Sequence, residues 1–343
     1  MGSSRVTIVD VAARAGVAIS SASSALNGRP GVSEATRQRV QEAARELGYV
    51  PSLRGRSLST QRAFTIGLVL QRSWDVLESD PFFGAFIGGI EQAISHRGYA
   101  LVLQMGFDQQ DTENRYRELA ANRRVDGVLL NELRVDDPRV SLVKELGLPA
   151  VGISPDLDSF PLPYVRQSAT VGVTQLVEHL VSLGHTRIAH VAGPEGYVHS
   201  RERDRAWREA LVAAGLEPGP RLDGDFTYEG GRSAADRIAE LDDKPTAVVC
   251  VNDLCAVGLI MRAQELGIKI PGDLSVTGYD GIALGTYVRP ALTSVQATPR
   301  QVGSAAAALL LDVIDDAQAR ENEVIQLPAA EVVLRKSTGP VPR

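Results

Sequence analysis

The sequence predicts two unlike parts: a small all-α head followed by an α/β body of two doubly wound lobes with parallel sheets. Three observations predict this. The first 62 residues carry one-sided apolar stripes at helical spacing and almost no strand signal. From residue 64 onward, short apolar runs alternate with helical stretches. The charge also divides: the net charge of −6 hides a head with nine arginines and four acids, +5, on a body with 27 basic and 38 acidic residues, −11. A basic head of this kind is built to meet a polyanion.

In the head, Thr7 and Asp10 form a capping-box pattern, and Ile8, Val11, Ala12 and Ala15 line one helix face. Gly16 ends that helix, because glycine tolerates a left-handed backbone. A second helix runs from Ala18 to Leu26 and stops at Asn27 and Gly28, and a third runs from Ser33 to Gly48 with Val40, Ala43, Ala44 and Leu47 inside. Two short helices joined by a tight turn, then a third, is helix-turn-helix patterning. Pro51 breaks the chain, and residues 52–60, rich in serine with one glycine, read as a linker that orders on binding.

In the body, the strand-length runs are 64–70, 99–105, 126–131, 149–154, 187–193, 246–251 and 275–280. They are too many for one small sheet, and ligands of such sheets lie outside the carboxyl ends of the strands. The 343 residues match about two domains, and 44% hydrophobic with 23% charged residues excludes collagen, coiled-coil rods and wholly disordered chains. No run of about 20 apolar residues occurs, so no membrane span is expected. No signal-peptide pattern is read, and the two cysteines, Cys250 and Cys255, make no disulfide framework, which fits a reducing cytoplasm. No nucleophile elbow, Walker loop or dinucleotide fingerprint is present, so the expectation is no enzyme, no catalytic residue and no cofactor. His179, His185 and His190 are too widely spaced to predict a metal site.

The segments 7–58, 79–93, 124–130, 179–193, 246–258, 270–281, 289–296 and 334–338 together resemble the LacI/GalR family of bacterial transcription regulators, in order and over nearly the whole chain. The resemblance implies a homodimer on near-palindromic double-stranded operator DNA, controlled by a small effector, most often a sugar. It implies a helix-turn-helix domain over 1–51, a hinge over 52–62, and a sensor over 63–343 like a type I periplasmic sugar-binding protein. The expected lobes are 63–163 with 294–325, and 164–293 with 326–343. The chain stops soon after Thr338, without the helical segment of tetrameric relatives, so a dimer is expected. A repressor is the expected role. An activator or corepressor-dependent regulator uses the same parts, and a transport-type binding protein would lack the basic head.

The matching positions assign base edges to Ile19, Ser20 and Ser24, and phosphates to Ser21, Ser23 and Asn27, with Thr7, Ser33 and Thr36 also on the DNA side. Hydroxyls and amides suit phosphate oxygens, and an apolar side chain suits a thymine methyl. Ile and Ser make no bidentate base pairing, so more discrimination is expected from the hinge. There Leu58 matches the family's minor-groove wedge, and Arg54 is expected to add a phosphate or minor-groove contact. Leu58→Ala is therefore expected to lose more specificity than Ser20→Ala across a panel of operator variants, and equal losses would contradict this. Effector contacts map to Phe82, Phe83, Arg203, Asn252, Asp253 and Asp280, with Trp74 a candidate for the mouth. Where relatives carry an Asp-Asn acceptor pair, this chain has Gln167, Ser168 and Ala169.

Overall fold

The computed structural model describes residues 6–27, 31–50, 57, 60–74, 76–154, 160–316, 320 and 323–342. It separates into two units, Met1–Phe64 and Thr65–Arg343. Leu58 and Arg54 lie outside the described residues, as does most of the expected hinge.

In the head, α1 (Ile8–Ala15), α2 (Ile19–Leu26) and α3 (Glu34–Glu46) close around Val11, Ala12, Ala22, Ala25, Val40 and Ala43. The residues are small because three short helices must approach closely to bury anything at all. Both the amide and the hydroxyl of Thr7 donate to Asp10 at 2.8 Å, which holds that carboxyl below its ordinary range. Gly16 makes the turn into α2 at φ 64°, and Ser33 caps α3 by accepting from Thr36 N at 3.3 Å.

The body holds two six-stranded sheets. The first has the order β11-β5-β4-β3-β1-β2, where β1 is Thr65–Leu70, β2 Ala100–Met105, β3 Gly127–Leu130, β4 Ala150–Ile153, β5 Tyr164–Arg166 and β11 Val324–Gln326. The second has the order β12-β10-β9-β8-β6-β7, where β6 is Ile188–Ala192, β7 Arg221–Asp223, β8 Ala247–Cys250, β9 Ser275–Tyr279, β10 Thr293–Gln296 and β12 Glu331–Val333. Among the strands of the described residues, β10 and β12 pair antiparallel and the other pairs are parallel. The central strands are buried on both faces, which is why their residues read as unbroken apolar runs.

Between β1 and β2 run a short α4 (Val76–Ser79) and α5 (Pro81–Ser95); α6 (Gln109–Ala121) follows β2 and α7 (Pro138–Glu145) follows β3. In the second lobe α8 (Thr170–Ser182) and α9 (Val198–Ala213) cover one sheet face. The other face takes α10 (Tyr228–Glu240) and α11 (Asp253–Glu265). The short α12 (Leu284–Tyr287) precedes β10, and α13 (Pro299–Asp315) returns to the first lobe, packing Leu310 and Ala306 with Phe86 and Ile90 of α5.

The chain passes between lobes three times, at 167–169, 297–298 and 327–330. These positions correct the expected lobe limits. β5 pairs with β4 and β11, so residues 164–166 belong to the first lobe; β10 pairs with β9, so residues 294–296 belong to the second. One buried side chain ties the three crossings together. Gln167 donates to Thr298 Oγ1 at 2.9 Å and to Pro328 O at 3.0 Å, and accepts from Thr298 N at 3.1 Å.

Two stability predictions arise here. A Cβ at Gly258 would collide with the carbonyl of Tyr228, where α10 and α11 meet. Gly258→Ala should therefore cost about 1–3 kcal/mol, read as a lower urea midpoint; an unchanged midpoint contradicts the packing. His190, fully buried in β6, donates through Nδ1 to Val249 O at 2.8 Å and stacks on Trp207, and burial lowers its pKa from 6.5 to about 4. The unfolded chain takes up this proton first as pH falls, so the contribution is complete above pH 6.5 and is lost toward pH 4. His190→Leu should flatten the fall in melting temperature between those pH values; an unchanged slope would exclude His190 as its source.

Candidate functional site

The head presents a polar helix. Ala22 and Ala25 turn α2 inward, which leaves Ile19, 49% exposed, and Ser20 on the outside, with Ser21, Ser23, Ser24 and Asn27 half-buried beside them. Asn27 donates to Ser23 Oγ at 3.3 Å, and the Ser33 and Thr36 hydroxyls lie 2.9 Å apart at the start of α3. Three of the head's acids pair with its own arginines: Glu34 with Arg37, Glu42 with Arg45 and Glu46 with Arg14. The head thus carries little free negative charge.

In the body a cavity of about 600 Å3 opens between the two lobes, at the carboxyl ends of both sets of strands. The first lobe contributes Phe82 and Phe83 from the start of α5. There Asp80 caps the helix by accepting from Phe82 N at 3.0 Å, and burial raises its carboxyl above the ordinary range. Phe83 is 3% exposed and Phe82 half-buried, so one edge of the aromatic pair packs into the core and the other faces the cavity.

The second lobe contributes Arg203 and Asp280. Arg203 projects from α9, lays its guanidinium over the Tyr279 ring at 3.7 Å and donates to Val251 O at 2.6 Å. Its Nη2 stands 3.7 Å from Asp280 Oδ1, too far for a hydrogen bond, and its Nε has no protein partner. Asp280 is held at φ 112° by a bond from its amide to Val295 O, a conformation an ordinary residue keeps only under constraint. Burial lifts its carboxyl well above its usual range, and the Arg203 charge opposes the rise. Arginine fork and carboxylate are therefore close, desolvated and incompletely bonded to each other. A ligand with vicinal hydroxyls can donate to Asp280 and accept from Arg203.

Asn252 lines the wall but spends its amide on structure, accepting from Cys255 N at 3.0 Å and donating to Phe226 O at 2.9 Å. Asp253 was expected to face the crevice, and the structure corrects this. Its oxygens accept from Ser294 Oγ at 2.5 Å and from Ile282 N at 2.8 Å. It occupies space beside Gly278 that a Cβ there would fill, and burial pushes its carboxyl up to about 7. Trp74 also departs from expectation: it is 61% exposed, packs edge-on against Phe107 and does not line the cavity.

Other lining groups were not foreseen. Arg72 donates through Nε and Nη2 to Glu132 at 2.9 and 2.5 Å. Its guanidinium also reaches across the lobes to the rings of Tyr197 and Phe226, at 4.9 and 5.1 Å. Nearby, Val135 N donates to Gly196 O and Val198 N to Leu133 O, a second bridge between the lobes. Asn131, 5% exposed, leaves its Oδ1 without a protein partner in the cavity wall. His199 stacks on Phe226 and stays neutral, because burial, then Arg203 and Arg72, depress its pKa. Gln167 lines the cavity, but its amide is committed to the crossings. In place of the missing acceptor pair, Glu202 accepts from Ser168 Oγ and Ala169 N at 2.6 and 2.9 Å. Among the described residues no cluster of His, Cys, Asp or Glu is placed to hold a metal ion, and no helix is long and apolar enough to cross a membrane.

A helical head with an exposed hydroxyl-rich helix, joined to a two-lobed body around a polar cavity, defines the class of ligand-responsive DNA-binding proteins. Residues 7–52 match the family of bacterial regulatory proteins of the lacI type, and residues 177–338 match a periplasmic binding protein-like domain. The HTH-type transcriptional regulator CelR of Thermobifida fusca is 36% identical over 90% of this chain and 92% of its own. The chain belongs to the LacI family and is a sequence-specific, DNA-binding transcriptional regulator. Among solved structures, a CelR–cellobiose complex aligns with TM-score 0.73 and 34% identity, covering 97% of this chain and 100% of that one. A Lac repressor dimer bound to operator and an anti-inducer aligns with TM-score 0.81 and 27% identity, covering 98% and 99%.

Proposed function

We propose that the protein is a cytoplasmic, non-enzymatic repressor that acts as a homodimer on a near-palindromic operator. A saccharide bound between the lobes changes its affinity for that operator. The observation that carries the reading is the desolvated Arg203–Asp280 pair, which faces the cavity at 3.7 Å with hydrogen-bonding capacity unspent. The aromatic edges of Phe82 and Phe83 offer an apolar face opposite, the usual pairing for a sugar ring's CH surface. The complex of a relative with cellobiose supports a ligand of one or two rings, which a cavity of about 600 Å3 accommodates. On the DNA side, Ile19, Ser20 and Ser24 would meet base edges, while Ser21, Ser23, Asn27, Ser33, Thr36 and Thr7 position the head on phosphates. An effector that favours one arrangement of the lobes shifts the population between states of different operator affinity.

Footprinting on the protein's own upstream region, with and without a panel of sugars, tests this. The expected result is a protected palindrome whose occupancy one sugar changes. No protection at low salt would overturn the operator reading, and protection that no sugar alters would overturn the effector reading.

A further inference from the structure

The charged groups around the cavity do not balance, and the imbalance has a chemical meaning. Five carboxylates line it, Asp80, Glu132, Asp225, Glu229 and Asp280, against two guanidiniums, Arg72 and Arg203. Neither guanidinium stands without a carboxylate beside it. Arg72 is held by Glu132 at 2.5 and 2.9 Å and covered by the Tyr197 and Phe226 rings. Arg203 bonds Val251 O and lies on the Tyr279 face, and Asp280 at 3.7 Å offsets its charge, which leaves its Nε for a neutral acceptor. Of the acids, Glu229 has Arg232 at 3.8 Å, outside the cavity lining. His199, which also lines the cavity, is kept neutral by burial and by the neighbouring Arg203 and Arg72 charges. The buried Asn131 Oδ1 adds one more acceptor without a donor. The wall therefore asks a ligand for donors, and an anionic group supplies only acceptors.

We infer that this cavity selects saccharides without an anionic group and rejects sugar phosphates and sugar acids, and that Glu132 enforces the choice by occupying Arg72. The inference rests on the effector reading above and adds the charge class of the ligand. A phosphate entering the cavity meets more carboxyl groups than guanidiniums and finds no cation without a carboxylate beside it. Removing the Glu132 charge both lowers the repulsion and releases the Arg72 fork, whose geometry suits a phosphate or carboxylate.

The test is calorimetric titration of the full chain with neutral mono- and disaccharides, each matched to its 6-phosphate and its uronic acid. The wild-type protein should bind a neutral sugar and discriminate against its anionic partners by about 100-fold or more. In Glu132→Gln that ratio should narrow by about tenfold, through a gain for the anionic sugar. Asp225→Asn, at an exposed position on the rim, should narrow it less, and it keeps the test decisive if Glu132→Gln melts at a lower temperature. An anionic sugar bound as tightly as its neutral parent overturns the inference, as does an unchanged ratio in both variants. If no sugar of any charge binds, the effector reading itself fails and takes this inference with it; footprinting then still reports operator binding.

Discussion

Arg203→Ala is expected to reduce saccharide affinity by at least about 100-fold and so to silence the sugar response of the operator footprint. The size follows from what the substitution leaves behind. Asp280 is 7% exposed, and Arg203 is the cation whose charge offsets the rise of its carboxyl. Removing one member of a buried pair strands the other, at a cost of about 3–5 kcal/mol. The ligand also loses the donors that face its hydroxyls. Arg203→Lys should recover little, because a single ammonium cannot hold Val251 O, lie flat on Tyr279 and reach a ligand together. The footprint without sugar reports whether the variant still folds. Sugar affinity within threefold of the unaltered protein would remove Arg203 from the site.

The second large effect concerns salt. Operator affinity should fall by about three orders of magnitude between 50 and 200 mM monovalent salt, the loss that release of counterions from roughly six phosphates produces. The head carries +5, and three of its acids are already paired with its own arginines. The −11 body is repelled by DNA, so attraction resides in the head and hinge. Ser23→Ala and Thr36→Ala should weaken all operator sequences alike, whereas Ile19→Ala should act only where a thymine methyl is met. A flat salt dependence would contradict phosphate anchoring.

The alternation of strands and helices was legible in the sequence because strands buried on both faces have no polar side to disguise them. The lobe limits were less legible. β5 is three residues long, Tyr164–Arg166, with a half-buried tyrosine and arginine at its ends, so periodicity reads it as loop. Arg203, Asp280 and the α5 phenylalanines were found from the motifs around them. Asp253 shares such a motif, yet its side chain turns toward Ser294, a contact 41 residues away in sequence that no local pattern reveals. Arg72 and Glu132 are separated by 60 residues and meet only because β1 and β3 are neighbours in the sheet. Asn131 carried a usable signal, being the polar residue that closes an apolar strand at its carboxyl end.

The three crossings tied by Gln167 have a further consequence, for how the protein is made. The first sheet receives β11 only from residues 324–326, and the second receives β12 only from residues 331–333. Helix α13, whose Leu310 and Ala306 cover the first sheet, also arrives after the whole second lobe has been synthesised. During translation, neither lobe can therefore finish ahead of the other. The first must wait with an apolar sheet face and the β5 edge uncovered while its partner emerges, the condition in which chaperones are most needed. A truncation before residue 299 would strip both lobes at once, because the elements that complete the two sheets lie together at 299–333.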